Sequence, residues 1–169
     1  MEITLEQLLA SRDERHTLQM QLLQEHPDKT LVCLTVVMPG SVKRNEQSLT
    51  VAKAAVEALK QCFNPYKDEL LERDLPTGYE AYLLTDIGRE KAKRMTCEIE
   101  DHHPLGRLFD MDVLDETGVP IPRTAVGSEP RRCLICDNEA RYCMRNRTHT
   151  QEELQQHINQ IIHDYVHGV

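Results

Sequence analysis

Between Leu108 and Leu114 the chain reads LFDMDVL, with apolar and acidic residues in alternation. A period of two fits an extended strand, in which side chains at i and i+2 share a face. Phe109, Met111 and Val113 then point to one side, and Asp110 and Asp112 to the other. Two carboxylates side by side repel each other, and in water the arrangement gains nothing. It becomes useful when a cation sits between them.

Two further short runs read as strands. TLVCLTVVM (Thr30 to Met38) is β-branched and nearly continuous in hydrophobicity, and YEAYLLTD (Tyr79 to Asp86) resembles it in length. Helical spacing recurs elsewhere. Leu5, Leu8, Leu9, Leu18 and Leu22 mark a first helix, with Thr4 and Gln7 as a capping box and Pro27-Asp28 as its stop. Ser48 is placed to cap a helix through about Cys62, with Leu49, Ala52, Val56 and Leu59 on one face, and Asp86 to cap one from Gly88 to about Glu100. Thr150 and Glu153 form a second capping box, opening a helix from about Gln151 to Tyr165. NPYKDELLERDLPTG reads as a connection with one helical turn. DETG reads as a turn before VPIPR, whose prolines restrict it to an irregular edge strand. The order α-β-α-β-α-β-β-α predicts an α+β domain over residues 1–169: a small central mixed sheet carries the D-x-D strand and is flanked by helices. A cysteine- and arginine-rich subregion spans 131–149.

At 169 residues the chain can bury a real core, and it has no run of about 18 apolar residues that would span a membrane. The opening MEITLEQLLASRDERH lacks the basic and apolar regions of a secretory signal, which predicts a cytoplasmic protein. Its six cysteines are then reduced thiols or metal ligands rather than a disulfide framework. A net charge of −8 argues against broad nucleic-acid binding. From Arg123 to His149, however, six arginines face three acids, so that segment is +3 and the rest of the chain −11. The excess is either a local anion site or an ordinary solvated surface.

Carboxylates two residues apart on a strand have Cα atoms about 6.5–7 Å apart and can converge on one or two hard cations. Magnesium prefers few carboxylates together with waters and phosphates, so Asp110 and Asp112 can hold a nucleotide phosphate for transfer. The plain alternative is an acidic, solvent-facing edge leading into a hairpin. Next to the pair, Gly106 permits close backbone approach and Arg107 can clamp a phosphate. Gly40 and Ser41, with Lys43 and Arg44 behind them, form a loop suited to cradling phosphate, without the spacing of a P-loop. Cys133 and Cys136 at x2 spacing, with Cys143 and His149, suit tetrahedral zinc. The five-residue gap from Cys143 to His149 departs from common finger spacings, so buried thiols or a redox pair remain alternatives. His102 and His103 read as loop residues, and His157, His163 and His167 as surface residues of the last helix.

MPGSVKRN, HPLGRLFDMDV, PRRCLICDNEARYCMRNRTH and the following EEL span positions 38 to 154. Together and in this order they resemble the apo-citrate lyase phosphoribosyl-dephospho-CoA transferases, also called holo-citrate lyase synthases. GRLFDMDV fits that family's G-R-L-x-D-x-D-V pattern residue for residue. The resemblance implies nucleotidyl transfer: triphosphoribosyl-dephospho-CoA is joined to a serine of the citrate lyase acyl carrier subunit, releasing diphosphate. It implies that Asp110 and Asp112 hold magnesium, and that Arg107 beside Gly106 and the Gly40-Ser41 loop with Lys43 contact phosphates. Arginines among Arg131, Arg132, Arg145 and Arg147 would hold pyrophosphate or the carrier's acidic surface. The resemblance leaves open whether Cys133, Cys136, Cys143 and His149 bind zinc, and which group deprotonates the serine. No nucleic-acid or membrane partner is expected. The competing reading is a zinc-stabilised, non-catalytic interaction module with a passive acidic hairpin. A D-x-D glycosyltransferase is weakened by the short chain.

Overall fold

The structure, a computed structural model, describes residues 1–168. Four strands, β1 (Thr30–Val36), β2 (Leu70–Leu75), β3 (Gly78–Thr85) and β4 (Phe109–Val113), form one sheet in the order β2-β3-β1-β4. Each neighbouring pair is antiparallel. Helix α2 (Glu46–Cys62) joins β1 to β2, with β3 lying between them, and α3 (Arg89–His102) joins β3 to β4 across β1. This is the split βαβ arrangement of ferredoxin-like folds. The α+β class is as expected. The sheet is antiparallel throughout rather than mixed, because each parallel pair joined by a helix has a third strand inserted between its members.

One face of the sheet carries Val32, Leu34, Ala81, Leu83, Phe109, Met111 and Val113, covered by α2, α3 and Ile158 and Ile162 of α5 (Gln151–His167). The other face is apolar only in part. Leu31, Cys33, Tyr82 and Leu114 pack under Leu18, Leu22 and Leu23 of helix α1 (Leu5–Glu25). The leucine stripe predicted for α1 is therefore seated at its C-terminal end alone, and Leu5 and Leu9 are exposed. The cause lies beneath: further along this face the sheet turns polar, with Thr35, Glu80, Asp110 and Asp112, and offers no apolar surface to cover.

The capping boxes at Thr4 and Thr150 are present. Two other starts differ. Asn45 caps α2, with Ser48 as its reciprocal partner three residues on: the Ser48 N–H donates to Asn45 Oδ1 at 2.8 Å and the Asn45 N–H to Ser48 Oγ at 2.9 Å. Asp86 pairs with Lys29 at 3.0 Å, and α3 begins after Gly88 without a side-chain cap. LLERDL is a strand, β2, closed onto β3 by the two-residue Pro76-Thr77 turn, whereas a connection was expected. VPIPR supplies one bridge, Pro120 to Leu114, and then a 3₁₀ turn (Arg123–Val126), since its prolines withhold the donors a strand needs.

Strand β4 lies at the edge of the sheet, yet its outward backbone is occupied. The Met111 N–H donates to Glu100 Oε1 at 2.8 Å, and Lys93 Nζ donates to the Met111 carbonyl at 3.2 Å. Both side chains are buried, and Arg123 anchors Glu100 at 2.6 Å. Just before β4, Gly106 sits against the backbone of α3, where an added Cβ would lie 2.8 Å from the Ile99 carbonyl and would also strike that of Glu100. Gly106→Ala should therefore destabilise the fold by about 2–3 kcal/mol, because both neighbours are helical backbone that cannot step aside. Urea denaturation measures this, and an unchanged midpoint would refute the close approach.

Candidate active site and metal centre

The polar face places two rows across the sheet. Asp110 is in register with Thr35, Glu80 and Arg73, and Asp112 with Cys33, Tyr82 and Leu71. Asp110 Oδ1 accepts from Arg131 Nη1 at 3.0 Å, Thr35 Oγ1 approaches Oδ2 at 3.4 Å, and Arg131 also donates to the Phe109 carbonyl. Asp112 is more enclosed. Burial, and then the charge of Asp110, hold its carboxyl above the usual carboxylate range, against the pull of Lys93, Arg131 and Arg15. Among the described residues no donor hydrogen-bonds to the Asp112 carboxylate. A half-buried carboxylate without a donor, beside a second carboxylate, is poised for a cation.

Above Asp112 lies an open groove of about 320 Å³ whose other wall is α1. Arg12, Arg15, His16 and Gln19 line it, spaced i, i+3, i+4, i+7 and therefore on one helix face. Arg15 is held by buried Glu80 at 3.3 Å, and Glu80 also accepts from the Tyr82 hydroxyl at 2.6 Å and meets Arg73 at 3.5 Å. No sequence motif marks these α1 residues. Their signal was a second, polar stripe on the same helix as the leucines.

The predicted phosphate residues fall into three groups. Arg131 alone touches an aspartate of the pair. The Lys43 amine is held below the ordinary lysine value by burial and then by the charge of Arg12, and its Nζ donates to the Met38 carbonyl at 2.6 Å. The rest lie in packing or on the exterior. Gly40, at φ +80°, abuts Gln151 of α5, and the Ser41 carbonyl accepts from the Ile3 N–H at 2.8 Å. Gly106 packs on α3, and Arg107 donates to the Cys133 carbonyl. Arg132 faces Asp137 at 3.9 Å, and Arg145 and Arg147 are exposed on α4 (Ala140–Asn146) and at its C-cap. His103 packs between Phe109 and Tyr165, at 4.8 and 5.7 Å, and its Nδ1 accepts from the Leu105 N–H.

The ligand atoms of Cys133, Cys136, Cys143 and His149 all lie within 4.8 Å of one another. Cys136 Sγ is 3.5 Å from Cys143 Sγ and 3.3 Å from His149 Nε2. Tetrahedral zinc–thiolate bonds of about 2.3 Å place sulfurs about 3.8 Å apart, so the cluster is near the dimensions zinc requires. Helix α4 delivers Cys143, and its left-handed C-cap at Arg147 (φ 48°) turns the chain back to bring in His149. The Cys136 thiol is lowered to about 7 by a hydrogen bond from the Asn138 backbone and then by His149. Burial pushes the Cys143 thiol up to about 11. Three thiols and an imidazole are a donor set for zinc, and a Cys136 thiolate accessible near neutrality suits a metal ligand.

Paired carboxylates on an open sheet face, with guanidinium groups of α1 across a groove from Asp112, are the kind of side-chain set that phosphoryl-transferring enzymes use. The sequence profile of the apo-citrate lyase phosphoribosyl-dephospho-CoA transferases matches residues 3–165. A Streptococcus pyogenes serotype M18 protein named "probable apo-citrate lyase phosphoribosyl-dephospho-CoA transferase" is 36% identical over 167 residues, covering 96% of this chain and 87% of that protein. A Vibrio cholerae protein of the same name is 36% identical over 171 residues, 98% of this chain and 94% of its own length. A Haemophilus influenzae protein named CitXG is 34% identical over 172 residues, which take in 99% of this chain and 37% of that longer protein. The chain belongs to the apo-citrate lyase phosphoribosyl-dephospho-CoA transferase family.

Proposed function

We propose that this chain, acting as one transferase domain, moves the phosphoribosyl-dephospho-CoA group from triphosphoribosyl-dephospho-CoA to a serine of the citrate lyase acyl carrier subunit, with release of diphosphate. Family membership supplies the group and the acceptor. The observation that carries the chemistry is the Asp110–Asp112 pair, in which Asp112 lacks a donor and faces the cations of α1. Magnesium, held by Asp110 and Asp112, would neutralise charge developing on the triphosphate during displacement. Arg131 fixes the Asp110 carboxylate, and Thr35 supports its second oxygen. Packing of Phe109, Met111 and Val113 behind the strand holds both carboxylates rigid.

Zinc, held by Cys133, Cys136, Cys143 and His149, has a structural role in this reading. Bound there it would close the segment that presents Arg131, and Arg107 ties the same segment to the turn before β4 through the Cys133 carbonyl. A non-catalytic zinc module would account for the cysteines but would leave the aspartate pair and the α1 groove without a role. No described helix is long and apolar enough to cross a membrane.

The test combines the purified protein, magnesium, triphosphoribosyl-dephospho-CoA and the apo carrier subunit, and weighs the carrier by intact mass spectrometry. The expected result is a gain equal to the phosphoribosyl-dephospho-CoA group, absent when magnesium is withheld. An unmodified carrier, with a control transferase active on the same preparation, would overturn the proposal.

A further inference from the structure

We infer that the polar stripe of α1, Arg12, Arg15 and His16, is the seat of the substrate's terminal two phosphates, the diphosphate that departs on transfer. The inference rests on the transferase reading and assigns the leaving-group end of that site.

Placement is the first support. The groove has Asp112 in one wall and the three α1 side chains in the other, so a phosphate chain lying in it would run directly past Asp112. Its volume of about 320 Å³ is at the small end for ligand sites. That suits a diphosphate.

Charge is the second. Among the described residues neither Arg12 nor His16 meets a carboxylate within salt-bridge distance. A guanidinium on the groove wall without a carboxylate partner, in a protein of net charge −8, is available to an anion.

Preorganisation is the third. Glu80, buried and shared among Arg15, Arg73 and the Tyr82 hydroxyl, fixes Arg15 before any ligand arrives.

The groove also sets the direction of reaction. In-line displacement puts nucleophile and leaving group on opposite sides of the α-phosphorus. With diphosphate on the Asp112 side, the acceptor serine enters from the Asp110 side, past Arg131 and the cysteine segment. A bond forms from the serine oxygen to the α-phosphorus, and the bridging bond from that phosphorus to the oxygen of the β-phosphate breaks. The electron pair leaves with diphosphate, and the serine proton is released to solvent.

Arg12→Ala is the informative variant, since Arg12 makes no ion pair within the fold and its loss should leave the melting temperature unchanged. Calorimetry would titrate magnesium diphosphate into wild type and Arg12→Ala, with dephospho-CoA lacking the triphosphate as a second titrant. Diphosphate affinity should fall about 10–100-fold, the usual effect of losing one charge-assisted contact, while dephospho-CoA affinity is retained. Arg12→Lys should recover part of the loss, and Arg12→Ala should weaken product inhibition by diphosphate in parallel. Equal diphosphate affinity in wild type and Arg12→Ala would overturn the assignment even where the wild type modifies its carrier. Conversely, diphosphate binding that depends on Arg12, in a protein that modifies no carrier, would uphold the groove and remove the transferase reading.

Discussion

Asp110→Asn and Asp112→Asn are each expected to lower transfer by at least about 10³-fold, on the order of 4 kcal/mol of lost transition-state stabilisation. The fold should survive both changes, because the apolar face of β4 is untouched. Asp112→Asn should leave the melting temperature unchanged or raise it. Burial and Asp110 raise the Asp112 pKa, so its proton binds the folded chain more tightly than the unfolded chain. The stability this provides is complete below the ordinary carboxylate pKa and is lost as pH rises through the raised one. Above the raised value the ionised Asp112 therefore opposes folding unless a cation is bound, and an amide relieves that cost. The same titration makes magnesium affinity fall as pH drops through the raised value, since protons and metal compete for one carboxylate. Single-turnover transfer and calorimetric magnesium titration measure both effects. Near-normal turnover in the two variants would remove the aspartates from the metal site.

Cys143→Ser should cost the protein its zinc and about 3 kcal/mol or more of stability, a drop in melting temperature of about 6–12 °C for a chain of this size. Metal analysis of the wild type should find one zinc per chain, and a chelator should reproduce the variant's loss of stability. Transfer should fall in step, because the segment that loses its closure is the one bearing Arg131, whose guanidinium grips Asp110. A zinc-free wild type with the same melting temperature as Cys143→Ser would return the four residues to buried thiols and a surface histidine.

Strong local patterns were legible in the sequence. Alternation in FDMDV and the β-branched run of β1 each fix a strand and its faces, and Thr4 and Thr150 mark helix starts through short-range hydrogen bonds. What escaped depends on partners distant in sequence. LLERDL has no β-branched residue and becomes a strand because β3 lies beside it and a two-residue turn fixes the register. Helix α4 runs only from Ala140 to Asn146, too short to announce itself by periodicity, and is held within the cysteine cluster. In the candidate site, the aspartate pair and the four residues that cluster were readable from spacing. Arg12, Arg15 and His16 were not, because their meaning comes from which face of the sheet α1 crosses. Gly40 and Ser41 resemble a phosphate loop in composition, yet their contacts run to α5 and the N-terminal segment.

The engagement of Met111 by Glu100 and Lys93 bears on how this domain meets other chains. A bare outer strand is a template on which a neighbour's backbone can zip, and here that template is already taken up from within. At the opposite margin, β2 displays Glu72, Arg73 and Asp74 in succession, a charged run that discourages the same pairing. Neither margin invites the sheet to grow. The domain can therefore be concentrated without its sheets knitting into ribbons.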